Sequence, residues 1–123
     1  MSWLAGRLVS IAHACRGLAR MIGSEPNARI HFAATVVVVI AGLAFGLGRL
    51  EWALIAVAVT GVWVAEALNT AIEAWVDLVS PEVHPLAGKA KDIAAGGVLA
   101  AAIGSLVIAA LVFGPRILQW LER

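Results

Sequence analysis

One cysteine, Cys15, is all the chain carries. That excludes an intramolecular disulfide and any cysteine-based zinc site. Charge is scarce as well: 14% of residues are Asp, Glu, Lys or Arg, against about a quarter in a soluble domain. The formal net charge is +1, and no block of Lys and Arg is interleaved with aromatics, so nothing argues for nucleic acid. His13 and His31 have no histidine one helical turn away, which argues against a histidine metal site. Loops of the GxxxxGK[ST] and GxGxxG types are missing, as are HRD and DFG signatures. No internal repeat or low-complexity tract is present. The amino-terminal stretch does not read as a cleaved leader, because Arg7, His13, Arg16 and Arg20 interrupt it and no long apolar run follows the first basic residue.

Apolar residues are abundant: 62% of the chain is hydrophobic and the mean hydropathy is +0.94. A membrane-spanning helix needs roughly 17–25 predominantly apolar residues. The pattern predicts an all-α membrane protein forming one membrane domain over 1–123, with spans at 30–48, 52–79 and 92–114. Residues 3–22 differ. At about 100° per residue, Leu4, Leu8, Ile11, Cys15, Leu18 and Ile22 share a face about 80° wide, opposite His13, Arg16 and Arg20. That predicts an amphipathic helix lying in the membrane interface. Gly23-Ser24-Glu25-Pro26 ends it, Gly46 to Glu51 forms a turn, and Ser80-Pro81 stops the second span. Pro81 to Lys91 reads as a polar loop, with Asp92 capping the third span. Arg7, Arg16, Arg20 and Arg29 precede the first span and Lys89 and Lys91 lie in that loop. The positive-inside tendency therefore puts the N-terminus and the loop in the cytoplasm.

The second span carries Glu66, Asn69, Glu73 and Asp77, which lie within roughly 80° of one face. A helix over 52–79 would be about 42 Å long, against a hydrocarbon core of about 30 Å. Measured from Trp52, Glu66 lies about 21 Å in and Glu73 about 31 Å in. Glu66 is thus expected inside the hydrocarbon, Glu73 at the cytoplasmic boundary and Asp77 in water. An intramembrane acid is costly and points to function. Withdrawn from bulk water, a carboxylate accepts a proton near neutrality. Glu73 and Asp77 suit a hard, oxygen-binding cation, and Asn69 suits orientation of a hydroxyl. The plain alternative for these groups is hydrogen bonding between spans. Glu25 could reach the same cation, or be a first-turn acid favoured by the helix dipole. Lys91 and Asp92, read as opening the third span, could receive an anion. Glu82 and His84 could equally be ordinary loop polarity.

The run Glu66-Ala-Leu-Asn69-Thr-Ala-Ile-Glu73-Ala-Trp-Val-Asp77, with Glu82-Val-His84-Pro-Leu-Ala-Gly-Lys-Ala-Lys91-Asp92, resembles the signature of the prokaryotic diacylglycerol kinase family, which includes undecaprenol kinases. Glu25-Pro-Asn27-Ala-Arg29-Ile-His31 and Arg49-Leu-Glu51-Trp52 are more similar to the undecaprenol kinase branch. The resemblance implies a homotrimer in the bacterial cytoplasmic membrane, with active sites shared between subunits. It also implies ATP-dependent phosphorylation of undecaprenol or diacylglycerol. It makes Glu66 the general base, Glu25 and Glu73 the ligands of the Mg²⁺ that carries ATP, and Asn69 a neighbour of the transferred phosphate. Glu82, His84, Lys91 and Asp92 match nucleotide-contacting positions. His13 and Val83 stand where tyrosine is common, His13 within the nucleotide site. Arg7 aligns approximately with a nucleotide-contacting arginine, and His31 replaces an acid typical of the diacylglycerol branch. Two other functions are a small proton-coupled transporter cycling protons on Glu66 and a structural scaffold. Neither accounts for the acids running to Asp77 together with Lys91 and Asp92.

Overall fold

Ser2 caps the first helix by accepting a hydrogen bond from the Ala5 amide at 3.3 Å, the usual way a serine satisfies the free donors of a helix start. From there the computed structural model describes residues 2–123 as four helices in sequence. These are α1 (Trp3–Ser24), α2 (Pro26–Phe45), α3 (Arg49–Val79) and α4 (Pro85–Leu121). No strand occurs among the described residues.

A one-residue elbow joins α1 to α2. Glu25 has extended backbone, with φ −98° and ψ 118°, and both ends one helix and begins the next. Pro26 follows at the first helical position, where its missing N–H costs nothing. Arg29 reaches back from α2 and donates to the carbonyls of Ile22 at 3.1 Å and Gly23 at 2.6 Å. Those carbonyls would otherwise be without partners at the end of α1. At the other end of α2, Gly46 takes the left-handed conformation, φ 64°, as glycine does without penalty. Its neighbour Leu47 closes the turn by donating to the Gly42 carbonyl at 3.0 Å.

The third span starts and ends differently from the sequence expectation of 92–114. Its helix begins at Pro85, with His84 as the cap: the Leu86 amide donates to His84 Nδ1 at 3.1 Å. Asp92 is therefore not a cap but sits about two turns inside α4. The expected polar loop over 81–91 shrinks to the short link between Ser80 and His84. The missed signal was proline at a first helical position followed by good helix formers. At its far end α4 continues past Gly114 and through Pro115. Arg116 anchors the turn after that proline: it donates from Nε to Glu51 Oε1 at 3.0 Å and from Nη1 to the Phe45 carbonyl at 2.8 Å, and it forms an ion pair with Glu51.

Helices α3 and α4 form the main antiparallel pair, linked by Asp77–Lys91 at one end and Glu51–Arg116 at the other. Helices α1 and α2 pack on α3. The apolar core of Leu47, Ile55 and Val112, flanked by Phe45, Trp52 and Phe113, lies at the Arg116 end. α2, α3 and α4 are each long and apolar enough to cross a membrane, and the chain is a multi-pass membrane protein. It exposes 8840 Å², whereas a soluble monomer of its mass would expose about 6,300 Å². Apolar side chains on α1, including Leu4, Leu8, Ile11 and Leu18, contribute to that surface. Cys15 is exposed too.

Gly42 tests this packing directly. A Cβ there would lie 2.6 Å from Trp52 Cη2. Gly42→Ala is expected to lower the thermal midpoint in detergent by the equivalent of about 1–3 kcal/mol. Gly104, with nothing within 4 Å, is the control, and Gly104→Ala should leave the midpoint unchanged or slightly raised.

Candidate active site

Among the described residues Glu66 is the one charged side chain that is buried, with 1% of its surface exposed. Its Oε2 has no hydrogen-bond partner among the described residues. A buried carboxylate oxygen left this way is costly in an apolar surrounding, so its nearest polar neighbour is informative. That neighbour is His31 of α2, whose Nε2 lies 3.6 Å from Oε2. The other charged groups close enough to act on Glu66 are Glu25 and Glu73.

The placement of His31 follows from local structure one turn deeper. Thr35 Oγ1 donates to the His31 carbonyl at 2.7 Å and accepts from Trp63 Nε1 at 3.1 Å. Thr35 lies four residues after His31, and Trp63 three before Glu66, so each pair shares a helix face. The indole hydrogen bond thus fixes the register that sets His31 opposite Glu66. Phe32 packs edge-on against the same indole, with ring centroids 6.4 Å apart.

Toward the α3–α4 link the polar stripe continues. Asn69 is buried, and its Nδ2 donates to Glu73 Oε1 at 3.4 Å, while Asn69 Oδ1 has no partner. Asn69 and Glu73 line a polar recess with Asn27 and His31 of α2 and Val98 of α4. On its other side His31 borders an apolar groove with Thr35, Val38, Val59, Val62 and Leu106. Glu66 lines neither cavity. Farther out, Asp77 pairs with Lys91, and both border a cleft of about 250 Å³ with Glu82 and His84.

The expected site residues therefore fall into separate groups. Glu66, Asn69 and Glu73 lie on one stripe of α3. Glu25, at the elbow, accepts from Ser24 Oγ at 2.9 Å. Glu82, His84 and Lys91 gather around the outer cleft, with His84 committed to capping and Lys91 to Asp77. Asp92 is exposed on α4, and since it does not open the helix it offers no anion site of the expected kind. His13 is exposed on α1, where its Nδ1 lies 3.2 Å from Arg16 Nη2. Arg7 stacks over Trp3, 5.3 Å from the ring centroid. The sequence reading gave His31 no role beyond a departure from the acidic residue. The available signal was its i, i+4 spacing from Asn27, which puts both polar groups on one face of α2.

No trio of His, Cys, Asp or Glu able to hold a metal occurs among the described residues. Magnesium does not need one, because it is commonly held by one or two carboxylates together with substrate phosphates. The oxygen donors of Glu25 and Glu73 suit that mode, and Asn69, which bonds Glu73, retains an unpartnered carbonyl oxygen beside it.

Residues 12–113 match the family model described as prokaryotic diacylglycerol kinase. An undecaprenol kinase of Bacillus subtilis is 42% identical over 108 residues, covering 88% of each chain. A diacylglycerol kinase of Synechocystis is 38% identical over 91% of this chain and 65% of its own length. A diacylglycerol kinase of Escherichia coli is 46% identical over a shorter stretch, 37% of this chain and 38% of its own.

The Thr35–Trp63 link has a measurable consequence. Thr35→Val would strand the indole N–H and is expected to cost about 1–2 kcal/mol of stability, read as a lower thermal midpoint in detergent. Thr35→Ser, which keeps the acceptor, should recover most of that loss.

Proposed function

The chain belongs to the prokaryotic diacylglycerol kinase family and is a lipid kinase; from that premise we propose that it moves the γ-phosphoryl group of ATP onto the hydroxyl of a membrane lipid alcohol, undecaprenol or diacylglycerol. The observation that carries this reading is Glu66, an enclosed carboxylate with a free oxygen, on α3 between Val62, which lines the apolar groove, and Asn69, which lines the recess. Undecaprenol is favoured by the undecaprenol kinase of B. subtilis, which matches over 88% of both lengths.

In this mechanism Glu66 takes the proton from the lipid hydroxyl. The oxygen bonds to the γ-phosphorus as the bond to the β-phosphate oxygen breaks, and ADP leaves. Glu25 and Glu73 would hold magnesium, which would supply neutralisation of phosphate charge. Asn69 orients the hydroxyl or a phosphate oxygen. Lys91 leaves Asp77 to meet the nucleotide's charge, and Glu82, His84, Asp92 and His13 complete the nucleotide's surroundings. No described contact joins His13 to Glu82 or His84, which favours a site shared between copies in a homotrimer. The large apolar surface of the single chain favours the same assembly. The basic residues before the first span favour an N-terminus in the cytoplasm, where ATP is, with α1 in the interface of the bacterial cytoplasmic membrane.

Glu66→Gln is expected to lower phosphoryl transfer about 10²–10⁴-fold while leaving membrane insertion unchanged; a variant with full activity would remove Glu66 from the role of base. Glu73→Gln should raise the Mg²⁺ concentration needed for half-maximal activity or abolish turnover, measured by magnesium titration in micelles. Radiolabelled ATP offered with undecaprenol and with diacylglycerol identifies the acceptor. Labelling of neither lipid would overturn the kinase assignment.

A further inference from the structure

Resting on the reading of Glu66 as the base, we propose that His31 is a positioning residue for Glu66 and the onward acceptor of the proton that Glu66 takes from the lipid hydroxyl. Three observations combine. Glu66 is enclosed and lines neither adjoining cavity, whereas His31 lines both the apolar groove and the polar recess. His31 Nε2 faces the carboxylate oxygen that has no other partner, at 3.6 Å. A small closure brings that gap within hydrogen-bonding range, and catalytic contacts are often long before substrate binds. The Thr35–Trp63 bond fixes the facing register.

A base with 1% of its surface exposed has little direct contact with water and needs an exit for its proton, or it is left neutral after one turnover. His31 provides the step: Glu66 Oε2–H transfers its proton to neutral Nε2, and the resulting imidazolium releases it into the recess. Glu66 is then a carboxylate again and His31 is again neutral. Imidazole is the side chain suited to this, since it can accept a proton at one ring nitrogen and give one up at the other. The titratable groups beside His31 are Glu66 and, across the recess, Glu73 on α3; Glu25 at the elbow acts on Glu66. Helix α4 faces it with Ala95, Val98, Leu99 and Ala102 on the recess side and Ser105, Leu106 and Ala109 on the groove side, none of them titratable. The proton therefore leaves between α2 and α3.

The test compares His31→Gln, His31→Ala and Glu66→Gln in the full chain in detergent micelles, with saturating MgATP and lipid. His31→Gln is expected to lower kcat about ten- to a hundredfold, leave KM for MgATP within twofold, and displace the acid limb of the pH–rate profile. His31→Ala should be partly rescued by added imidazole in a concentration-dependent manner, and not by acetate at the same pH. Wild-type kcat and pH profile in His31→Gln would overturn the proposal. So would a loss of activity with the acid limb unmoved and no imidazole rescue, which would mark His31 as structural. An inactive Glu66→Gln beside a normal His31→Gln removes the relay and keeps the base. An active Glu66→Gln removes both.

Discussion

A carboxylate held among apolar helices is the constraint on which the rest of this molecule turns. Glu66 cannot be satisfied by lipid, and α3 alone provides no partner for its Oε2. Something must be brought to it, and the fold brings α2. The Thr35–Trp63 bond and the Phe32–Trp63 ring contact hold that helix at the height where His31 meets the acid. The elbow at Glu25, tied by Arg29 to the end of α1, fixes where α2 begins. A proline, an arginine and a threonine, none of them given a chemical role, thereby decide the surroundings of Glu66.

The two ends of the helix bundle divide the work. Around the Gly46 turn, apolar packing and the Arg116 contacts to Glu51 and the Phe45 carbonyl lock α2, α3 and α4 together. At the other end the polar groups are loosely committed: Asn69 keeps a free oxygen and Lys91 holds a lone exposed acid. A tightly packed end and an under-satisfied end suit the proposed reaction, in which a charged nucleotide would bind where the membrane meets water while the helices stay in register. Under-satisfied polar groups are what a substrate can satisfy.

Much of this organisation is readable from residues alone, and the reasons are local. Spans are long because lipid requires the backbone to be self-satisfied over the whole apolar thickness, and such runs are visible in any one-dimensional reading. The stripe of Glu66, Asn69, Glu73 and Asp77 is visible because helical periodicity needs only spacing. The start of α4 was misplaced because a polar, lysine-bearing stretch reads as loop until His84 is seen accepting from the Leu86 amide and Pro85 is recognised as a first helical residue. Its end was misplaced because Gly114-Pro115 looks like a stop, yet Arg116 finds partners on two other helices that hold the next turn.

The sequence by itself determined that this chain lives in a membrane, that it crosses as helices, and that its acids share one face, since each follows from composition and period along a single strand of text. Only the tertiary structure decided that Glu66 is enclosed, that His31 stands against it, and that Lys91 belongs to Asp77. Those facts depend on the rotation and height of one helix against another, which are set by a few contacts between residues distant in the chain and have no periodic trace within it.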